Sequence, residues 1–233
     1  MTGLMSTRLT GIASMATRQV LTDVADAWRE RDGAEVCFES VGGIDAARRV
    51  GEGEAFDLVV LAADAIDKLE GAGRLVADSA LELARSNVAI AVRQGSKRPV
   101  VDTEAALRSA VLAARTVSYS SGPSGIALRQ LFARWGIDEE IRARIVQPPP
   151  GVPVGALIAR GDAELGFQQL SELMHLEGID VIGPMPPGLE IVTTFSGAVC
   201  AVSAQPDAAR ALLDFIRSPA ADQAKRRHGM QPA

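Results

Sequence analysis

The chain is poor in the residues that build metal, redox and nucleic-acid sites. Of its 233 residues only two are cysteine and two histidine. His175 and His228 stand far apart, no CxxC occurs, and no Cys/His cluster has the ligand spacing of a zinc centre, so neither a metal nor another cofactor is expected. Cys37 and Cys200 each lie in an apolar run, Val36-Cys37-Phe38 and Val199-Cys200-Ala201, where a free thiol behaves as a small buried hydrophobe. Their spacing leaves open whether they pair. Basic charge is also short: 24 Lys and Arg against 29 Asp and Glu give a net charge of −5, which excludes a nucleic-acid partner and attraction to an anionic membrane. No run approaches the roughly 20 apolar residues that span a bilayer, so membrane insertion is excluded as well. Residues 1–8 show no basic segment followed by an apolar core and a small-residue cleavage site. On that reading the chain is cytoplasmic, or periplasmic with its leader removed.

What is present is an alternation of short apolar runs and helical periods, with 47% hydrophobic and 23% charged residues, as in an ordinary folded domain. Arg8–Ala13 reads as a strand, and Ser14 then opens a helix with Val20, Leu21, Val24, Ala25 and Trp28 on one face. A second strand at Ala34–Glu39 turns through Gly42-Gly43 into a helix ending near Val50. A third, Phe56–Leu61, is apolar throughout, as expected when helices cover both sheet faces. Such repetition implies right-handed βαβ units on a parallel sheet, with ligands beyond the carboxyl ends of the strands. Ser86–Arg93 and Ile191–Ala204 are long β runs that read as crossings between two lobes. The expected lobes are residues 1–88 with 193–233, and residues 89–192.

The second lobe holds the stretch around which the chain is organised: Val117-Ser118-Tyr119-Ser120-Ser121-Gly122-Pro123-Ser124-Gly125, followed by a helix through Trp135. Unpaired N–H groups and the helix dipole make such a start suited to an anion, although Ser, Gly and Pro equally serve as ordinary caps. Further on, a strand is expected at Ile145–Gln147. Pro148–Pro153 then forms a stiff lead into the next helix, and a strand ends in two amides, Gln168 and Gln169.

These elements together resemble the type II periplasmic binding proteins, and within them the branch of the molybdate-binding proteins of ABC uptake systems. The residues carrying the resemblance are Ala13-Ser14, Val41-Gly42-Gly43, Gly53–Leu58, Pro123-Ser124-Gly125-Ile126 and Gly161–Gly166. The resemblance implies an α/β fold of two lobes, each a mostly parallel sheet flanked by helices, joined by two hinge strands, with an oxyanion held in the cleft between them. Carried over by position, it implies ligand contacts from Ser14, Gly43, Ser121, Ser124, Gly151 and Gln169. Gly43 stands where the family places a second serine, Gln169 where it places a tyrosine, and Ser171-Glu172 where it places Thr/Ser-Asp. These departures match a larger anion, such as a small carboxylate or a phosphorylated metabolite, and Arg18 in the first helix could pair a carboxylate bidentately.

The leading expectation is therefore a solute-binding component for a small anion, with an ABC permease as partner if the chain is exported. The alternative is an isomerase resembling aconitate isomerase, which shifts a proton allylically. That reaction needs a general base, and Glu39, Tyr119, Glu172 and His175 are the nearby candidates, none singled out by spacing. No Ser/His/Asp or Cys/His arrangement points to hydrolysis.

Overall fold

A computed structural model describes residues 8–32, 35–149 and 151–233. The reading of the amino terminus rests on residues 1–7, outside those described, as are Ala34, the expected start of the second strand, and Pro150 in the proline run. The described chain packs as two compact units, one formed by the chain up to Arg85 with Thr194–Ala233, the other by Ser86–Thr193.

The first unit begins with β1 (Leu9–Ser14), a 3-10 turn over Met15–Thr17, and α1 (Arg18–Asp32). Then come β2 (Val36–Val41), α2 (Gly43–Gly51), β3 (Leu58–Ala62), α3 (Ala63–Gly71) and the start of β4 (Leu81–Arg93). The chain returns to it in β8 (Val192–Val199) and closes with α9 (Pro206–Arg217), α10 (Asp222–Arg227) and β9 (Met230–Pro232). β1 pairs in parallel with β2 and β3, and β3 pairs antiparallel with β8. Side chains of β3 alternate between two cores: Leu58 and Val60 pack with Val20, Val24 and Leu213, whereas Val59 and Leu61 pack with Ala46, Ile66 and Leu69. Both sheet faces are thus covered, which explains the unbroken apolar strand, each such side chain contributing about 1.5–3 kcal/mol on burial.

The second unit contains the rest of β4, then α4 (Glu104–Ala113), β5 (Val117–Tyr119), α5 (Pro123–Arg134), α6 (Asp138–Ile141), α7 (Val154–Arg160), β6 (Leu165–Gln169), α8 (Leu170–Leu173) and β7 (Ile179–Pro184). β5 and β6 are parallel neighbours, and β4 pairs antiparallel with β6 and β7. Val88, Ile90 and Val92 of β4 enter one core with Phe132 and Phe167, while Ala89 and Ala91 enter another with Val154 and Leu157. The strand pairings are therefore mixed rather than uniformly parallel. Every antiparallel pair among them involves β4 or β8, the strands in which the chain crosses from one unit to the other and back.

Three local expectations change. Ile145–Gln147 forms only a bridge from Ile145 to Val117, because the prolines that follow have no N–H to extend a ladder. The long run expected to Ala204 stops at Val199. Beyond it Cys200 bridges Leu75 and the chain turns so that the Ser203 hydroxyl donates to Asp57 at 2.7 Å. Cys37 is exposed, not buried, because β2 is an edge strand with an outward face; both cysteines are free thiols.

Asp57 is the polar tie of the first unit. Its carboxylate also accepts from the Thr10 amide at 2.9 Å and the Thr10 hydroxyl at 3.1 Å. Lys225 of α10 is wholly buried, with Asp222 at 3.4 Å, and burial pulls its pKa down. Among the described residues no helix is long and apolar enough to cross a membrane.

Candidate functional site

In the first unit the expected ligand residues gather at the carboxyl ends of β1 and β2. Parallel register sets Ser14 opposite Val41, so the two strand-to-helix corners lie side by side. Ser14 is extended and caps the 3-10 turn, its hydroxyl accepting from the Ala16 amide at 3.4 Å. Gly43 is the first residue of α2, and a Cβ placed on it would lie 3.9 Å from the Ser14 hydroxyl oxygen. The corner thus pairs a half-buried hydroxyl with open space and the unpaired amides that begin α2. Arg18, at the start of α1, is exposed and carries no ion pair among the described residues.

The second unit presents its own corner. Gly122 precedes α5 and Pro123 occupies its first turn, where a missing N–H costs nothing. Ser124 is buried, with its hydroxyl 3.1 Å from that of Ser120, whereas Ser121 is exposed. Gly125 is obligatory: a Cβ there would sit 1.7 Å from the Ser120 carbonyl oxygen. Register pairs Tyr119 with Phe167, so Gln169 ends the strand beside this corner. The Gln169 amide donates to the Thr193 hydroxyl at 2.7 Å, while its carbonyl oxygen is buried without a partner among the described residues. Gly151, with φ of 75°, adopts the left-handed conformation just before α7.

The four candidate bases fare differently. Glu39 is held by the two terminal guanidinium nitrogens of Arg49, at 2.5 and 3.0 Å, and Arg49 also grips Glu54. That hydrogen bonding keeps the Glu39 carboxyl below its usual range, which makes it a poor proton acceptor. Tyr119 packs edge-on against Phe132 within the core, and burial raises its pKa. His175 is exposed just beyond α8. Glu172, in the first turn of α8, differs from all of these: burial pushes its carboxyl up to about 7, against a smaller pull from hydrogen bonding to Gln168. Gln168 is itself anchored, its carbonyl oxygen accepting from the Gly155 amide at 3.3 Å. Beside it Ser171 lies 3.4 Å from Ser86, hydroxyl to hydroxyl. Sequence spacing offered no reason to prefer Glu172, since an acidic residue one turn into a helix reads as solvated.

Among the described residues no three His, Cys, Asp or Glu side chains gather as metal ligands. The first unit offers a hydroxyl, helix-start amides and the Arg18 guanidinium, and the second offers hydroxyls, an amide and the Glu172 carboxyl.

Residues 9–231 match the family described as bacterial extracellular solute-binding proteins. Aconitate isomerase of a Pseudomonas species is 37% identical over 232 residues, covering 97% of this chain and 88% of that protein. A molybdate-binding protein of Azotobacter vinelandii is 25% identical over 217 residues, covering 90% and 84%. The solved periplasmic molybdate-binding protein of the same organism superposes with a TM-score of 0.79 at 18% identity, covering 95% of this chain and 98% of that one. The fold is that of the type II periplasmic binding proteins.

Proposed function

The chain belongs to the bacterial extracellular solute-binding protein family, and on that premise we propose that it binds a small unsaturated polycarboxylate and moves a proton across its allylic system. The feature that carries this reading is Glu172, a half-buried carboxyl in the first turn of α8, beside Gln168 and Ser171, that loss of water pushes up to about 7. The 37% identity to an aconitate isomerase over nearly the whole chain supports it. In its ionised form Glu172 takes a proton from the CH2 group beside the double bond. The electron pair spreads over the allyl system into an attached carboxylate. The same carboxyl then returns the proton to the far carbon, so the double bond has moved and no atom is gained or lost. The anion contacts assigned to the first unit are Ser14, Arg18 and the corner at Gly43, and those assigned to the second are Ser121, Ser124, Gly151 and Gln169. Neutral donors aimed at a developing enolate stabilise it most where water is excluded.

The test is incubation with cis-aconitate and, separately, trans-aconitate in deuterium oxide, followed by proton NMR. Interconversion with deuterium entering the allylic positions is the expected result. Binding of either anion without turnover or exchange would leave a solute-binding protein with an ABC permease as partner. The donor set favours that second reading to the extent that binding alone requires no base, and the family's description as extracellular fits an exported protein.

Two substitutions probe the donors. Ser14→Ala and Ser124→Ala are each expected to weaken anion binding by roughly 1–3 kcal/mol, read by calorimetry; unchanged affinity in both would remove these corners from the site. Gly43→Ser would set a second hydroxyl beside Ser14, where there is room for it. It is expected to raise affinity for molybdate and lower affinity for aconitate, measured by thermal shift against both anions.

A further inference from the structure

Tyr119 is the chain's single tyrosine, and the site above has no use for it. Its side chain is 6% exposed, and what remains accessible of it faces a groove. Tyr119 lines a groove of about 740 Å³ that lies wholly within the second unit, between α5 on one side and α6 with the turn that follows it on the other. Ile126, Phe132, Ile141 and Ile145 make its walls apolar, and Ile126 is 45% exposed there. Arg129 also lines it, is exposed, and has no ion pair among the described residues. Its charge reaches the phenol, drawing the Tyr119 pKa down against the rise that burial imposes. The other cation on the rim, Arg142, is already taken by Glu139.

We propose that this groove is a second binding site, for a monocarboxylate with a compact apolar body, its carboxylate received by Arg129 and the Tyr119 hydroxyl. The chemistry follows from the lining. Four apolar side chains reward an apolar body, whereas one unpaired guanidinium and one phenol O–H match a single carboxylate. Asp138 stands on the same rim, so a second carboxylate on the ligand meets a like charge. The site therefore rejects the polycarboxylates assigned to the strand-end corners, and it stands independently of that assignment.

Because there is one tyrosine, labelling tyrosine rings with carbon-13 yields a single reporter signal inside the groove. Titrating phenylacetate into the full chain is expected to move that signal saturably, whereas phenylacetamide and citrate leave it in place. Arg129→Gln, a change at an exposed side chain that spares the fold, is expected to weaken phenylacetate by about tenfold, the worth of one charge-assisted hydrogen bond. A signal that never saturates overturns the site, as does an amide or citrate that moves it equally or an Arg129→Gln protein that binds as before.

Discussion

Glu172→Gln is expected to lower the rate of aconitate interconversion by about 10²–10⁴-fold while leaving the affinity for the anion near that of the parent, since the amide fills the same space but accepts no proton. Stopped assays by NMR and calorimetric binding of the same preparations measure the two quantities separately. Turnover that survives the change would remove Glu172 from the chemistry. The substitution also has a signature in stability that requires no activity. Burial raises the folded-state pKa of Glu172 from 4.5 to about 7, so the folded chain binds this proton more tightly than the unfolded chain. The resulting stabilisation is complete below 4.5 and disappears as pH rises through about 7. By linkage it is worth about 3 kcal/mol across that window. Urea midpoints from pH 4 to pH 8 should therefore fall faster in the parent than in Glu172→Gln; parallel curves would contradict the burial of that carboxyl.

Gly125→Ala is the second large effect. Its methyl carbon would stand 1.7 Å from the Ser120 carbonyl oxygen and 2.8 Å from the carbonyl carbon. Both obstacles are backbone, so neither can swing aside, and the β5-to-α5 corner must open to admit one carbon. A cost of about 3 kcal/mol or more is expected, with loss of the Ser120 to Ser124 hydroxyl contact and of anion binding. Thermal unfolding with and without ligand reads both consequences. Gly43→Ala is the control: its Cβ clears the nearest atoms by 3.9 Å, so stability should hold. Equal losses at the two glycines would mean that chain flexibility, not steric fit at the corner, sets the requirement.

How much of this was legible beforehand depended on whether a feature is local. The strand and helix periods of residues 9–71 were readable because each apolar position faces a core in a regular repeat, and the corners at Ser14 and Gly43 followed from the rule that parallel strands share one functional end. The fate of Glu39 was not readable. Arg49, ten residues on, comes back along α2 and couples it to Glu54, a tertiary juxtaposition with no sequence period. Glu172 was hidden for the opposite reason: an acidic residue one turn into a helix is ordinarily wet, and only the packing around β6 and α8 deprives it of water. Tyr119 was named as a possible base, yet alternation along β5 turns its ring into the core against Phe132. The shorter second crossing strand reflects a demand from elsewhere, the Asp57 carboxylate, which claims Ser203 and so bends the chain after Cys200.

The burial of Lys225 has a practical outcome. Lysine occurs at positions 68, 97 and 225 only, and the last is sealed inside α10. Acylating reagents therefore reach one side-chain amine in each unit, Lys68 in the first and Lys97 in the second. A donor and acceptor dye pair coupled to the unaltered protein at these two amines supplies a distance gauge that needs no engineered cysteine.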